Sequence, residues 1–540
     1  MSTTAGAERT SLLVRTSATV ALGTLLSRLT GLVRVGVLAY ALGRATLADA
    51  YNLSNTTPNI VYELVLGGVL SATLVPLFVD RIRERDERAV SAVFTVSLTV
   101  LVAIALVATI LAPWIARLYS IDARGDERAA QLDVMTFLIR CFAPQVVFYG
   151  FTALATALLN AQRRFVAAAY APICNNVVVI ATLLAFTRLA EGPQRAWEDV
   201  DTIRGDTGML LLLGVGTTAG IAAMALVLVP AVARAGTRLR FVPEWRNAAV
   251  VRVVRLSGWT AGYVVANQVT LLFVLVLATT GDAGDVSAYQ YAFMFFQLPH
   301  GLFAVSIMTA VTPELSAHAA ARAADGFRDE FARGLRLLLL VSLPSAVALA
   351  VFAQAGVAVL VRGPFDASDA AVTADVLQAF ALGLAPFSVY LFSLRAFYAH
   401  QDTRTPFILN CIENAVNVVA ALALFPVLGV RGLALAYAVA YLVAAFMTLA
   451  VVARRYGGIG PGIGATTVRA AAAAAAFGVA AAPLVGVIGR DTPSEAAAAV
   501  AVAAAGGTAA FVATLALLGG DELRALLRVV ARRRVRVENV

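Results

Sequence analysis

Residues 27–42 read SRLTGLVRVGVLAYAL and residues 46–78 read TLADAYNLSNTTPNIVYELVLGGVLSATLVPLF. Two arginines, an aspartate, a glutamate and several amides stand in a stretch otherwise apolar enough to lie in a lipid bilayer. An ionisable group at that depth costs at least ~2.5–3.5 kcal/mol, so it faces a cavity or a partner and not lipid. Asp49, Asn52, Thr56, Asn59 and Glu63 are spaced 3, 4, 3, 4, which lines one face of an α-helix. Pro58 withdraws a backbone hydrogen bond in the middle of that face and predicts a kink, and Gly67-Gly68 is a second candidate hinge. Two uses of the face stay open: a water-filled cavity, or hydrogen bonding between packed helices.

The rest of the chain supplies the setting. Of its 540 residues 60% are hydrophobic and 14% charged, with a mean hydropathy of +0.82. Soluble domains carry about 25% charge, so the class is a polytopic membrane protein. The formal charge of +9 comes from arginines in short loops, the distribution that membrane topology requires rather than nucleic-acid binding. No lysine occurs, which excludes a P-loop and Schiff-base lysine chemistry. Cys141, Cys174 and Cys411 lie far apart in apolar segments, and His300, His318 and His400 are equally dispersed, so neither a disulfide framework nor a metal site is expected. Asp49 and Glu63 stand ~20 Å apart along a helix, too far for paired acid–base work. The chain is read as a non-enzyme without cofactor.

At about 20 residues per span, roughly fourteen transmembrane helices are expected: near 11–41, 46–80, 90–118, 131–160, 164–189, 207–234, 250–280, 285–317, 332–361, 370–400, 404–428, 431–454, 465–488 and 495–519. The first run is too long for a signal peptide and is read as a retained span. Several spans exceed 30 residues and must tilt, bend or break, with Pro58, Pro144, Pro299 and Pro386 marking the places. The connections at 81–88, 163–164, 234–255, 322–333, 404 and 454–455 and the tail at 524–536 are arginine-rich. Those at 42–46, 119–130, 188–206, 281–285, 362–369 and 490–495 are poorer in arginine or balanced by acids. This alternation places both termini in the cytoplasm.

Two halves recur at an offset of about 240 residues. Ala143-Pro144 matches Ala385-Pro386, Gln162 matches Gln401, and Pro76 matches Pro313. Six spans separate the copies, so two six-helix lobes related by a pseudo-two-fold axis along the membrane normal are expected, with a site between them. The predicted division is residues 1–240 and 241–460 for the lobes, 461–520 for two additional helices, and 521–540 for an arginine-rich cytoplasmic tail. The added helices are free to pack on a lobe, hold a lipid or contact another protein.

Candidate site residues follow from charge at membrane depth. Arg28 and Arg34 offer the planar fork suited to phosphate; Arg140, Arg255 and Arg395 are further cations. With Asp49, Asn52, Asn59 and Glu63 they form the candidate substrate site. Snorkelling of Arg34, or its pairing with Asp49 or Glu63, stays open as an alternative. Asn410, Glu413 and Asn417 repeat the helical spacing and offer oxygens to a coupling ion, Na⁺ or H⁺. A buried neutral Glu413 is the competing reading. Span eight, where a copy of the span-two face is due, carries Gln290, Tyr291, Phe293, Phe295, Phe296 and Gln297 instead.

Ser27-Arg28-x-x-Gly31-x-x-Arg34, Asp49-Ala50 leading to Pro58-Asn59, Asn160-x-Gln162-x-Arg164-Phe165 through Ala171-Pro172, Leu298-Pro299-x-Gly301-Leu302-Phe303 and Tyr398-Ala399-x-Gln401-Asp402-Thr403-x-Thr405-Pro406 occur in that order. With these motifs the sequence resembles the MurJ (MviN) family of lipid II flippases, within the multidrug/oligosaccharidyl-lipid/polysaccharide exporter superfamily, over residues 11–455. The wording of 55–70 resembles its actinobacterial members. The resemblance implies a fourteen-helix transporter with a central cationic cavity. Such a protein moves the undecaprenyl-diphosphate-linked peptidoglycan precursor, lipid II, from the inner to the outer leaflet of the bacterial plasma membrane by alternating access. Its cavity arginines carry over onto Arg28 and Arg34, and its span-two aspartate onto Asp49. Where many members have an arginine pair after Pro-Asn this chain has Tyr62-Glu63, and where they have Asp-Arg in span eight it has Phe293-Met294. Some actinobacterial relatives carry a kinase-like extension, which this sequence, running to Val540, is expected to lack. Membrane potential or an ion gradient would drive transport, and cell-wall synthesis proteins are candidate partners. The competing functions are a cation-coupled exporter of another polyisoprenoid-linked polysaccharide or a drug, and a non-transporting scaffold for cell-wall assembly.

Overall fold

The computed structural model describes residues 2–64, 74–120, 125–190, 200–237, 239–256, 258–488 and 492–518, with side chains from residue 19 onward except at 21, 125–127, 202, 254–256 and 493. The expected hinge at Gly67-Gly68 and the tail at 524–536 lie outside these residues. Among the described residues the only non-helical pairing is one bridge between Arg362 and Phe365.

The helices are α1 (Ser2–Leu42), α2 (Thr46–Tyr62), α3 (Val75–Arg83), α4 (Glu87–Tyr119), α5 (Gly125–Phe142), α6 (Gln145–Ala161), α7 (Phe165–Leu189), α8 (Val200–Arg204), α9 (Thr207–Leu226), α10 (Val229–Arg234), α11 (Ala248–Leu256), α12 (Gly258–Ala278), α13 (Asp285–Pro299), α14 (Val305–Ala320), α15 (Ala324–Ala358), α16 (Ala367–Ala399), α17 (Arg404–Tyr456), α18 (Ile463–Ile488) and α19 (Pro493–Leu517). Twelve helices or continuous helix pairs among the described residues are long and apolar enough to cross a membrane. One of them, α17, breaks at Gly429, where φ is +55° and ψ −144°, so its 53 residues supply two of the expected spans. The fourteenth corresponds to α2, whose 17 residues lead into undescribed chain.

Proline acts as expected in part. Pro144 separates α5 from α6, and Pro299 precedes a wide π-helical turn at His300–Ala304. Pro58 and Pro386 sit inside α2 and α16, both of which continue past them. At Pro386 the expected break is absent, because the helix there is buried on most sides and packing holds it continuous.

One turn recurs at four arginine-rich connections. Arg85, Arg163, Arg322 and Gln401 all adopt positive φ, between 53° and 61°. In each case the next residue donates its N–H back five positions: Asp86 to Arg81 O, Arg164 to Leu159 O, Ala323 to His318 O and Asp402 to Phe397 O, at 2.8–3.0 Å. This satisfies the orphan carbonyls of the helix that ends there. Arg85 and Arg322 are 237 positions apart, Arg163 and Gln401 are 238 apart.

By contacts the chain divides into two compact units, residues 1–287 with 362–365, and residues 288–361 with 366–540. The first unit therefore holds α12, the helix expected to open the second lobe. Within it α1 packs on α7, α7 on α9, and α2 on α5 and α6. One of its core clusters joins Phe78, Phe94, Leu154, Leu158 and Leu228. Leu106, Ile110, Trp114 and Leu118 form an exposed apolar stripe on α4, at four-residue spacing. In water such a stripe would be a liability; in a bilayer it is the lipid face. In the second unit α15, α16 and α17 pack in series, and α18 and α19 lie against each other and against α15. The two additional helices thus serve that unit. Gly507 lets α19 approach Phe477 of α18 so closely that a Cβ would stand 2.8 Å from its ring.

Candidate functional site

The polar face of α2 divides into two halves. At its start, Asp49 is fully engaged. Its Oδ1 accepts from the Ser287 backbone N–H at 2.8 Å and from Ser287 Oγ at 2.6 Å, and its Oδ2 accepts from the Gly284 N–H at 2.8 Å. Asn52 Nδ2 donates to Ser287 Oγ at 3.0 Å. Beside them Arg44 pairs with Asp285 at 3.3 Å. Asp49 thus occupies the first-turn amides of α13, where a helix favours negative charge. Gly284 has φ +86°, and a Cβ there would overlap Arg44 at 2.3 Å, so only glycine allows this approach. Gly43 and Tyr40 likewise pack against residues 363–364. Three arginine-poor connections, 43–45, 281–287 and 362–365, therefore meet at one end of this unit.

Further along α2 the side chains are open. Asn59 is exposed, Tyr62 and Glu63 half-buried, and among the described residues none of the three has a hydrogen bond or ion pair. Among the described residues Glu63 makes no ion pair with Arg28 or Arg34. Tyr62 stacks on Tyr149 of α6, centroids 5.5 Å apart and planes at 28°. Arg34, half-buried on α1, acts electrostatically on Tyr51 and Tyr149 and makes no hydrogen bond or ion pair among the described residues. Arg28 is exposed, and so is Arg140 at the end of α5. The Arg255 side chain lies outside the described residues. In this unit the structure therefore brings together Arg34, Tyr51, Tyr149 and Tyr62, and bonds Asp49 and Asn52 to residues 284–287.

Sequence reading passed over several polar contacts that hold this arrangement. Tyr51 Oη shares a hydrogen with Thr217 Oγ1 at 2.8 Å. Asn176 of α7 donates to Ser27 O and Thr30 Oγ1 of α1, at 3.2 and 2.9 Å. Thr218 Oγ1 donates to Cys141 O at 2.8 Å, near the break where Pro144 supplies no N–H. Amides and hydroxyls inside apolar runs were the available signal.

In the second unit Asn410, Glu413 and Asn417 are all buried on α17. Asn410 Nδ2 lies 3.5 Å from Glu413 Oε2, and the Asn417 Oδ1 is buried with no partner. Among the described residues no group of three His, Cys, Asp or Glu side chains gathers as metal ligands. Arg395 of α16 is half-buried with its Nε sealed and unpartnered. Span eight is aromatic as expected. Phe293 and Phe296 of α13 pack with Phe380 and Phe387 of α16 and Tyr437 of α17 at centroid distances of 5.4–5.8 Å. At the arginine-rich end Asp402 accepts from the Thr405 N–H and hydroxyl and from Arg455 at 2.6–3.0 Å. Burial raises the Asp402 carboxyl, but those bonds outweigh it and hold it below its ordinary value.

A multi-helix membrane protein with cations inside its spans has the form of a transporter. The comparisons specify it further. The family described as "Lipid II flippase MurJ" matches residues 38–492, and this chain belongs to that family. A probable lipid II flippase MurJ of Rhizobium meliloti is 33% identical over 451 residues, 81% of this chain and 80% of that protein. The lipid II flippase MurJ of Burkholderia cenocepacia is 28% identical over 437 residues, 79% and 81% of the two chains. Among solved structures, a lipid II flippase MurJ in an inward closed conformation superposes with a TM-score of 0.74 at 20% identity, covering 94% of this chain and 99% of that one. An inward-facing multidrug resistance transporter of the MATE family gives 0.65 at 15% identity, with 80% and 94% covered. These two likenesses are of fold.

Proposed function

We propose that this protein carries lipid II from the inner to the outer leaflet of the bacterial plasma membrane by alternating access, with both termini in the cytoplasm. The observation that carries this reading, beside membership of the family, is Arg34. It is a permanent cation inside a membrane helix, without an acidic partner among the described residues, next to hydrogen-bonding side chains. Such a group gains most from a multiply anionic ligand, and a diphosphate is one. The matched turns at Arg85 and Arg322 and at Arg163 and Gln401 support two lobes built from one repeat. The recurrence of the same backbone cap in the same order is hard to obtain from unrelated halves. The engagement of Asp49 and Asn52 with residues 284–287 supports their role as a latch on the start of α13 rather than as ligands. Arg28 and Arg140 are read as further contacts for the head group. No acid–base pair or nucleophile is assigned, and the protein is read as a transporter rather than an enzyme.

The energy source in this proposal is membrane potential or an ion gradient, with Asn410, Glu413 and Asn417 as the coupling group. A host depleted of its own flippase and complemented with this chain tests the reading. Arg34→Ala should fail to restore growth and should accumulate lipid II in the inner leaflet, at wild-type levels of membrane protein. Normal growth of that variant would refute the cavity assignment. If Glu413→Gln transports at the wild-type rate under every imposed ion gradient, the coupling assignment falls while the flippase reading stands.

A further inference from the structure

The open half of α2 is the wrong chemistry for a phosphate. Asn55, Asn59, Tyr62 and Glu63 fall on one helical face, and the charge it carries is negative. Among the described residues Glu63 makes no ion pair. Tyr62 and Tyr149 lie side by side at 5.5 Å. Their hydroxyls have no hydrogen-bond partner among the described residues, and neither oxygen is sealed from the space beside the helices. Two other tyrosines of the same unit behave differently: Tyr51 and Tyr119 are buried, and their hydroxyls meet Thr217 and Thr57. Tyr62, Tyr149 and Glu63 are half-buried inside membrane helices, where phenols and a carboxylate left against lipid would be costly. The axis from Tyr51, beside Arg34, to Tyr62 spans 11 residues, or roughly 16 Å.

We infer that Tyr62, Tyr149 and Glu63 form a subsite for the sugar portion of a lipid-linked glycan, while Arg34 takes the phosphate. The inference rests on the transport reading above and adds which part of the ligand meets which side chains. Sugar hydroxyls and N-acetyl amides are neutral donors and acceptors, matched by phenols that both give and accept and by a carboxylate that accepts. A phosphate would be repelled by Glu63 and drawn instead to Arg34, which also acts on the neighbouring Tyr149. Phosphate and glycan are thus sorted by sign of charge between Arg34 and Glu63, and the two subsites adjoin at Tyr149.

The test compares two probes on the purified full chain in lipid nanodiscs: lipid II, and undecaprenyl diphosphate without sugar. The Tyr62→Phe/Tyr149→Phe double variant keeps the ring stack and removes only the hydroxyls. Losing two hydrogen bonds should weaken lipid II binding about tenfold and leave undecaprenyl diphosphate within twofold. Glu63→Gln should act in the same direction, and Arg34→Gln should weaken both probes. Equal weakening of both probes by the tyrosine variant, or no weakening of either, would overturn the subsite. So would a wild-type protein that binds both lipids equally. A wild-type protein that binds neither would overturn the transport reading, and the subsite with it.

Discussion

α2 and α13 occupy corresponding places in the proposed repeat and are built from opposite materials. α2 presents Asp49, Asn52, Asn59 and Glu63, and among the described residues Asn59 and Glu63 in its second half have no hydrogen bond or ion pair. α13 presents Phe293 and Phe296, which close on rings from α16 and α17. The difference shows how a duplicated scaffold divides labour. One copy spends stability on groups that only a ligand can satisfy, and the other fills its space with aromatic contacts that need nothing further. The two helices also meet in a literal sense, because the first turn of α13 is capped by the Asp49 carboxylate of α2.

The sharpest way to break this comparison is at Arg34. Arg34→Ala should abolish lipid II translocation, a loss above about a hundredfold given that charge-assisted contacts to a diphosphate are worth ~1.5–3 kcal/mol each. A fluorescence assay of lipid II in proteoliposomes measures it, and the melting temperature should stay near wild type because the side chain holds nothing in place. Asp49 should behave in the opposite way. Asp49→Ala strands the N–H groups of Gly284 and Ser287 at about 1–3 kcal/mol each, so the purified protein should melt at lower temperature. Asp49→Asn turns an acceptor into a donor facing one of those N–H groups and should rescue little. A wild-type melting curve for both variants would show that α13 does not depend on its cap.

Phe296→Ala probes the aromatic side. In a water-soluble core such a change costs about 3–5 kcal/mol. In a bilayer much of the transfer gain is absent and the packing share remains, so a smaller drop is expected, with translocation per folded molecule unchanged. Loss of transport without loss of stability would move the rings from scaffold to site. The smallest effect belongs to Asp402. Its depressed carboxyl contributes stability above the ordinary carboxylate pKa of about 3.9, and that contribution is lost as pH falls through the lower value of the folded state. Wild type should therefore lose melting temperature below about pH 4 relative to Asp402→Asn, by under about 1 kcal/mol for the partly exposed Arg455 pair. Parallel pH profiles of the two proteins would remove Asp402 from the account.

Composition and spacing by themselves determined much of this. Apolar runs of span length gave many helix ends to within a few residues, because lipid demands continuous helices with every backbone group satisfied internally, although α1 and α15 begin nine and eight residues before the expected spans and α12 eight after. The 3, 4 spacing placed Asp49, Asn52, Asn59 and Glu63 on one face, and the absence of charge from span eight was visible as a row of aromatic letters. What periodicity does not specify is what meets a face once it is made. The partners of Asp49 stand 235 and 238 residues away in the chain, and no local rule separates Asp49, bound on three sides, from Glu63, bound on none. The roles of Tyr62 and Tyr149 have the same origin, since the two rings come from helices more than 80 residues apart and only their packing makes a pair. A polar residue within a membrane is read from sequence as a question. Tertiary structure supplies or withholds its partner, and so decides whether the group holds the protein together or waits for a ligand.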